Sequence, residues 1–433
     1  MNRSRSIGRL AAVGAAALAL VLPLAACGAN DSGDSAGGPV TLRFTWWGSD
    51  ARHALTQKVI EAFEAENPNI KIKGEFGEWG GYWDKLATQT AANDAPDIIQ
   101  MDEKYIAEYG GRGALLDLGK QGLNTADFDQ KLLDTGKVED KLVGLPVGAA
   151  VFAFVANPVL FKKYGEPLPD DATWSWDDFA ATAKRLANKG RKDGVSGAML
   201  VSGDTEAHLW ARQHGDQLFN DKGEIVIKPE TLASWWRLSS ELTKNGTSPS
   251  AAAQQESQTV GLEETPLATN KLAIGSMFNT QLTAMEKGSK SGLKLLRVPG
   301  QKQSDYAGSY LKPSMYWSVS SRTKHPKEAA KFLDYLANSP KAADLLLTER
   351  GVPANNKLRT AITSKLTTTD KQAVEFLDVV AKTAAPPPPV TPVGGSAIEK
   401  ILRRQASEVL FGRATPEQAA EAAIKEMKTS VTK

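Results

Sequence analysis

The sequence predicts an α/β protein in which helices cover a parallel sheet, and three observations carry that prediction. Short apolar strands alternate with amphipathic helices through the first part of the body, the pattern of strand–helix–strand units. The chain has 433 residues, 41% hydrophobic and 24% charged, the makeup of an ordinary globular protein of two or three domains. Its single cysteine, Cys27, excludes an intramolecular disulfide and a cysteine-rich zinc module, so the body must be held by core burial.

The elements follow in order. Arg3, Arg5 and Arg9 precede a charge-free run from Leu10 to Ala26. A basic start, a short apolar stretch and small residues before a cut site read as a secretory signal over residues 1–26. Leu24-Ala25-Ala26-Cys27 resembles the bacterial lipobox, which implies lipidation at Cys27 and a membrane anchor. Residues 27–39 contain GANDSGDSAGGP, with no apolar run, and read as a lipid-anchored flexible tether.

From Val40 to Trp46 apolar residues alternate, placing Val40, Leu42, Phe44 and Trp46 on one face of a strand. Leu55, Val59 and Phe63 recur every four residues, so a helix is expected from about His53 to Glu66, stopped by Asn67-Pro68. Ile70 to Lys73 starts a second strand, residues 82–92 a second helix, and residues 96–101 a buried third strand. Ser175 and Asp178 are spaced as a capping box for another helix. Lys271 to Met277 is a short buried strand, and helices are expected over residues 326–338 and 340–349. Four consecutive prolines, 386–389, make a stiff connector, and Thr415-Pro416 opens the last helix. No period of 20–50 residues repeats.

Charge and motifs narrow the function. The chain carries 52 basic and 50 acidic residues, and without the three N-terminal arginines 49 basic groups face 50 acidic ones. That balance argues against general attraction to nucleic acid or anionic lipid. The four histidines show no metal-ligand spacing, and no nucleophile elbow or nucleotide loop occurs. No cofactor, metal or catalytic residue is therefore assigned.

In parallel sheets of this kind ligands bind at the carboxyl ends of the strands. Those ends are Trp47 with Asp50 and Arg52, Glu78-Trp79 with Tyr82, and Asp102-Glu103. Aromatic plates beside carboxylates suit sugars, whose hydroxyls surround flat apolar C–H faces. Trp46 reads as core because it continues the buried alternation, and Trp235-Trp236 reads as helix packing. Trp174 and Trp176 read as structural around their helix start. Asp204 and Trp210 are further candidate ligand contacts in a polar stretch.

LRFTWW, a helix ending ENPNIKI, TQTAANDAPDIIQMD, GALLDL, GLPVGAAVFAFVANPVLFKKYG, PDDATWSWDDF, NKLAIGSMFN and HPKEAAKFLDYLANSPKAADLLLTERGVPAN occur in that order. Together, across about residues 40–430, they resemble the extracellular solute-binding proteins of ABC importers, specifically the carbohydrate-binding group that includes maltose-binding protein. The resemblance implies an α/β, two-lobed periplasmic-binding-protein-like fold with hinge strands and an interlobe ligand cleft. It places one lobe at about 40–147 plus 308–352 and the other at 148–307 plus 353–433. The crossings fall near Leu145-Pro146-Val147 and Tyr310-Leu311. It adds Phe278 or Asn279, at the end of a strand, and one of Tyr316 and Trp317, just past the second crossing, as candidates facing the cleft.

The implied function is an exported, lipid-anchored monomeric receptor that closes on a mono- or oligosaccharide. It would deliver the sugar to a membrane permease served by a separate ATPase. Near the C-terminus the polyproline run and Val393-Gly394-Gly395 stand where the maltose-binding pattern has an aromatic plate, so the resemblance does not name maltodextrin. The alternatives are an exported glycosidase with two working carboxylates, or a receptor for a polyamine or peptide.

Overall fold

The computed structural model describes residues 38–48, 50–300 and 308–431. The expected signal segment, Cys27 and the expected tether through residue 37 lie outside them. Among the described residues no helix is long and apolar enough to cross a membrane.

Two larger sheets organise the body. The first runs in the order Ile70–Gly77, Val40–Trp47, Ile98–Met101, Tyr316–Val319, Leu145–Pro146. Its first three strands are parallel, with Trp47 opposite Gly77 and Phe44 opposite Ile98. The helices Asp50–Glu66 and Trp79–Ala91 connect them, each beginning three residues earlier than periodicity predicts. The fourth and fifth strands are antiparallel to their neighbours. The sheet is therefore mixed, which corrects the expectation of a wholly parallel one. The alternation in Val40–Trp47 places Leu42, Phe44 and Trp46 in the core with Phe63, Trp317 and Phe332.

The second sheet runs Lys294–Leu296, Phe152–Ala156, Leu272–Phe278, Ser196–Ala198. Only its last pair is parallel, and the helices Pro229–Lys244, Ile398–Leu410 and Pro416–Val431 pack with it around Trp236, Leu402 and Met427. The Ser175–Asp178 capping box forms and starts the helix Trp176–Gly190. Thr415 likewise caps the last helix through the Gln418 N–H at 3.2 Å.

Between the large sheets in the chain lies a three-stranded sheet of Lys312–Pro313, Gly148–Ala150 and Val352–Pro353, in that order. All its pairings are antiparallel. Gly148 is required there, because a Cβ would stand 2.7 Å from the Val352 carbonyl oxygen. The hydrophobic core runs without a break from the first sheet through Ala149 and Val352 to Val155 and Leu295.

Candidate functional site

The carboxyl ends of the three parallel strands gather an aromatic wall. Trp47 ends its strand 8% exposed, with Trp79, Tyr82 and Trp83 ring centroids 5.0, 5.2 and 5.5 Å away. Trp83 stacks on Tyr105 at 3.6 Å and 12°. Each such pair contributes about 0.5–1.5 kcal/mol beyond area burial, so the wall is preorganised. Trp79 stands at the first position of its helix, held edge-on by Trp47 and Trp83, and is still 37% exposed. Glu78, just before it, is exposed and makes no capping bond with its side chain. Asp50 is exposed in the first turn of its helix.

Beside the wall lies a group of ion pairs. Asp102 caps the helix Glu103–Gly111 through the Lys104 N–H at 3.1 Å. The Lys312 ammonium lies 2.7 Å from Glu103 and 3.8 Å from Asp102, and 5.7 Å from the Phe278 ring centre. The Lys104 ammonium reaches Asp204 at 3.1 Å and Glu399 at 2.5 Å. It thus ties the end of the first sheet to two helices packed on the second.

Burial works to lower the Lys104 pKa, but Asp204 and Glu399 hold it well above the ordinary lysine value. Burial also works to raise Asp204, yet Lys104 and His208 bring its pKa below the usual value. Glu103 remains raised because burial outweighs Lys312, and burial raises Glu206 despite Arg403 nearby.

In the core around the second sheet Trp176, Trp210 and Trp235 lie within 5.0–5.5 Å of one another. Phe152 packs edge-on against Phe278 at 5.6 Å. Phe278 is half-buried, at the end of its strand. The structure thus brings Trp47, Trp79, Asp102, Glu103, Asp204 and Phe278 towards the facing ends of the two sheets.

Other candidates have internal posts. Asn279 is 0% exposed; its Oδ1 accepts from the Val151 N–H at 2.8 Å and its Nδ2 donates to the Ala373 carbonyl at 2.9 Å. Trp317 packs against Phe44 and beneath the Arg350 guanidinium. These two corrections share a cause: strand ends look alike in sequence whether the side chain turns to the cleft or into the core.

Tyr82 and Tyr316 are buried, their hydroxyls donating to the Gln100 and Thr135 carbonyls. Arg52 pairs with Glu349 at 2.7 Å. The Trp210 indole N–H is spent on the Thr231 carbonyl and the Ser234 hydroxyl. Sequence reading missed Lys104 and Tyr105, although they directly follow Asp102-Glu103. It also missed Lys312, one residue past the expected crossing, and Glu399, which carries no local signal.

His208 provides a test of the buried electrostatics. It packs edge-on against Phe219 at 4.9 Å, and burial lowers its pKa to about 4, with Asp204 opposing and Arg212 and Lys104 assisting. An unfolded histidine titrates near about 6.5. Between those values the unfolded chain takes up a proton that the folded chain refuses, so stability falls as pH drops. Linkage makes the loss about 3 kcal/mol. His208→Phe is expected to remove that part of the fall in urea midpoint between pH 7.5 and 4.5. The same fall in both proteins would contradict the burial of a neutral imidazole.

Comparison with known proteins agrees with this architecture. Residues 48–343 match the family described as bacterial extracellular solute-binding protein. A maltodextrin-binding protein of Bacillus subtilis is 24% identical over 400 residues, covering 86% of each chain. An extracellular solute-binding protein of family 1 from Alicyclobacillus acidocaldarius is 28% identical. Its structure covers 92% of this chain and 100% of its own, with TM-score 0.69. A periplasmic oligogalacturonide-binding protein from Yersinia enterocolitica, solved with saturated digalacturonic acid, has TM-score 0.81 at 23% identity, covering 91% and 99%. The first curated relatives are matched over 49% and 38% of their length.

Proposed function

Because the chain belongs to the bacterial extracellular solute-binding proteins, which are two-lobed α/β proteins, we propose that it is the receptor of an ABC importer. It captures a mono- or oligosaccharide by hinge closure and delivers it to a membrane permease driven by a separate ATPase. The observation that carries this reading is the exposed Trp79 face on a rigid aromatic wall at the strand ends, beside Asp102 and Glu103. An indole face covers the apolar side of a pyranose, and carboxylates accept its hydroxyls. The relative in Bacillus subtilis, named a maltodextrin-binding protein, supports a carbohydrate over a polyamine or peptide.

The lobes are 40–147 plus 308–352 and 148–307 plus 353–433. The three-stranded sheet of Gly148–Ala150, Lys312–Pro313 and Val352–Pro353 lies at their junctions, which supports its use as the hinge. Ligand then shifts an open–closed equilibrium through its greater affinity for the closed form. The receptor acts as a monomer, exported and held by lipid at Cys27 on the outer face of the cytoplasmic membrane. It performs no hydrolysis. Asp102 and Glu103 share Lys312, and Asp204 is held by Lys104, which favours carboxylates that bind over a working acid–base pair.

Thermal unfolding against a panel of sugars, polyamines, amino acids and short peptides tests this reading. A ligand at a hundred times its dissociation constant adds about 2.7 kcal/mol of stability. A rise selective for carbohydrate is expected. A rise only with polyamines or peptides would overturn the carbohydrate assignment.

A further inference from the structure

Two consecutive residues, Glu349 and Arg350, link the three-stranded sheet to the aromatic wall. From them the chain passes through Gly351 into the strand Val352–Pro353. The Arg350 carbonyl accepts from the Ser314 hydroxyl, and the Ser314 N–H donates to the Gly148 carbonyl at 2.8 Å. Ser314 itself follows the strand Lys312–Pro313, so one serine joins Arg350 to both other strands. Gly351 permits this approach, with φ at +107° and a Cβ that would stand 2.6 Å from the Ser314 hydroxyl oxygen.

Side chains carry the connection on to the wall. The Arg52 guanidinium donates to the Glu349 carboxylate at 2.7 Å, to the Glu349 carbonyl at 3.1 Å and to the Trp47 carbonyl at 3.3 Å. Arg350 donates to the Gln100 side-chain oxygen at 3.2 Å and to the Thr56 hydroxyl at 2.6 Å. The Gln100 amide donates in turn to the Trp47 carbonyl at 3.4 Å, and the Gln100 backbone carbonyl accepts from the Tyr82 hydroxyl at 2.6 Å. Two side-chain donors thus meet on the Trp47 carbonyl, and each is held by a residue that leads into the sheet. Arg350 is 3% exposed. A buried cation adds little net stability over a packed apolar side chain, whereas a planar guanidinium fixes several partners at once.

We propose that Glu349 and Arg350 form a clamp that transmits rotation of the hinge to the Trp47 backbone. Lobe closure then sets the position of the wall on which Trp79 stands, and by reciprocity a sugar on the wall favours the hinge angle that suits it. Glu349 and Arg350 act through Arg52 and Gln100, so they are positioning residues for capture. The inference rests on the receptor reading above, in which the three-stranded sheet is the hinge.

Ser314→Ala tests it, because it loosens the sheet's hold on Arg350 without touching the wall. In the isotope-labelled, ligand-free protein it is expected to shift the Trp47 carbonyl-carbon and Gly48 amide resonances, which report the bonds on that carbonyl. The shift should vanish when Ser314→Ala is added to Arg52→Met with Arg350→Met, a background that lacks both arms. The Gly148 carbonyl-carbon resonance, at the hinge itself, should move in both backgrounds. Arg52→Gln with Arg350→Lys, which keeps the buried charge but not the fork, is a second background in which the same loss is expected, should the first not fold.

A Trp47 carbonyl that ignores Ser314→Ala in the wild type, or that moves as far once the arms are cut, would overturn the clamp. Neither result involves a sugar, so the receptor reading would stand. Silence of the unfolding panel to every carbohydrate would remove the receptor reading and leave the measured coupling in place.

Discussion

Exchanging Asn279 for alanine is expected to cost about 3–5 kcal/mol of stability and to leave ligand affinity of the folded fraction within about twofold. The side chain bridges two segments far apart in sequence, accepting from Val151, just before the strand Phe152–Ala156, and donating to Ala373 in the helix Thr368–Ala381. Its own backbone N–H also donates to the Val151 carbonyl at 2.9 Å. Truncation strands one buried donor and one buried acceptor, and each orphan costs about 1–3 kcal/mol. A small cavity adds to that. Urea unfolding should show a lower midpoint at unchanged slope. A stable variant with weakened sugar binding would instead restore Asn279 to the ligand site.

The second large effect concerns Lys104. Lys104→Met is expected to open the ligand-free protein, read as a larger radius of gyration in small-angle scattering than the wild type shows. The ammonium stands between Asp204 and Glu399 with its side chain 16% exposed. On the proposed lobe division both carboxylates belong to the opposite lobe, so the contacts exist only when the cleft is closed. Removing one member of a buried ion pair costs about 3–5 kcal/mol, because the remaining charges lose their partner but not their burial. Opening hydrates both carboxylates, so the equilibrium should move by about a hundredfold or more. Unaltered scattering in the variant would show that these pairs do not hold the lobes together.

Much of the first sheet was legible in the sequence because its signals are local. Alternation in Val40–Trp47, the four-residue recurrence of Leu55, Val59 and Phe63, and the stop at Asn67-Pro68 require no knowledge of distant residues. The Ser175–Asp178 capping box and the start of the last helix at Thr415-Pro416 were readable for the same reason. The antiparallel partner Tyr316–Val319 was not, since it pairs with Ile98–Met101 across more than half the chain. Nothing in residues 316–319 records that pairing. The central charge group was half legible. Asp102 and Glu103 stand out at a strand end, whereas the bond from Lys104 to Glu399 spans 295 residues.

The aromatic residues divide in the same way. Trp46 declares itself as core by continuing the buried face, and Trp47 by following it at the strand end. Trp317 sits in a strand buried on every residue, where alternation cannot tell one face from the other. Its candidacy, shared with Tyr316, comes from its position just past the expected crossing rather than from its pattern.

The most direct measurement is a calorimetric titration of the carbohydrate that raises the unfolding temperature, run on wild type and Trp79→Ala, with the bound sugar recovered and analysed afterwards. The receptor account predicts one site per chain, affinity about 10- to 100-fold weaker in the folded variant, a stability loss of about 1–3 kcal/mol from the ring contacts to Trp47 and Trp83, and sugar recovered intact. Equal affinity in the two proteins would contradict the role of the exposed Trp79 face, and recovery of cleaved sugar would contradict a receptor that binds without reacting.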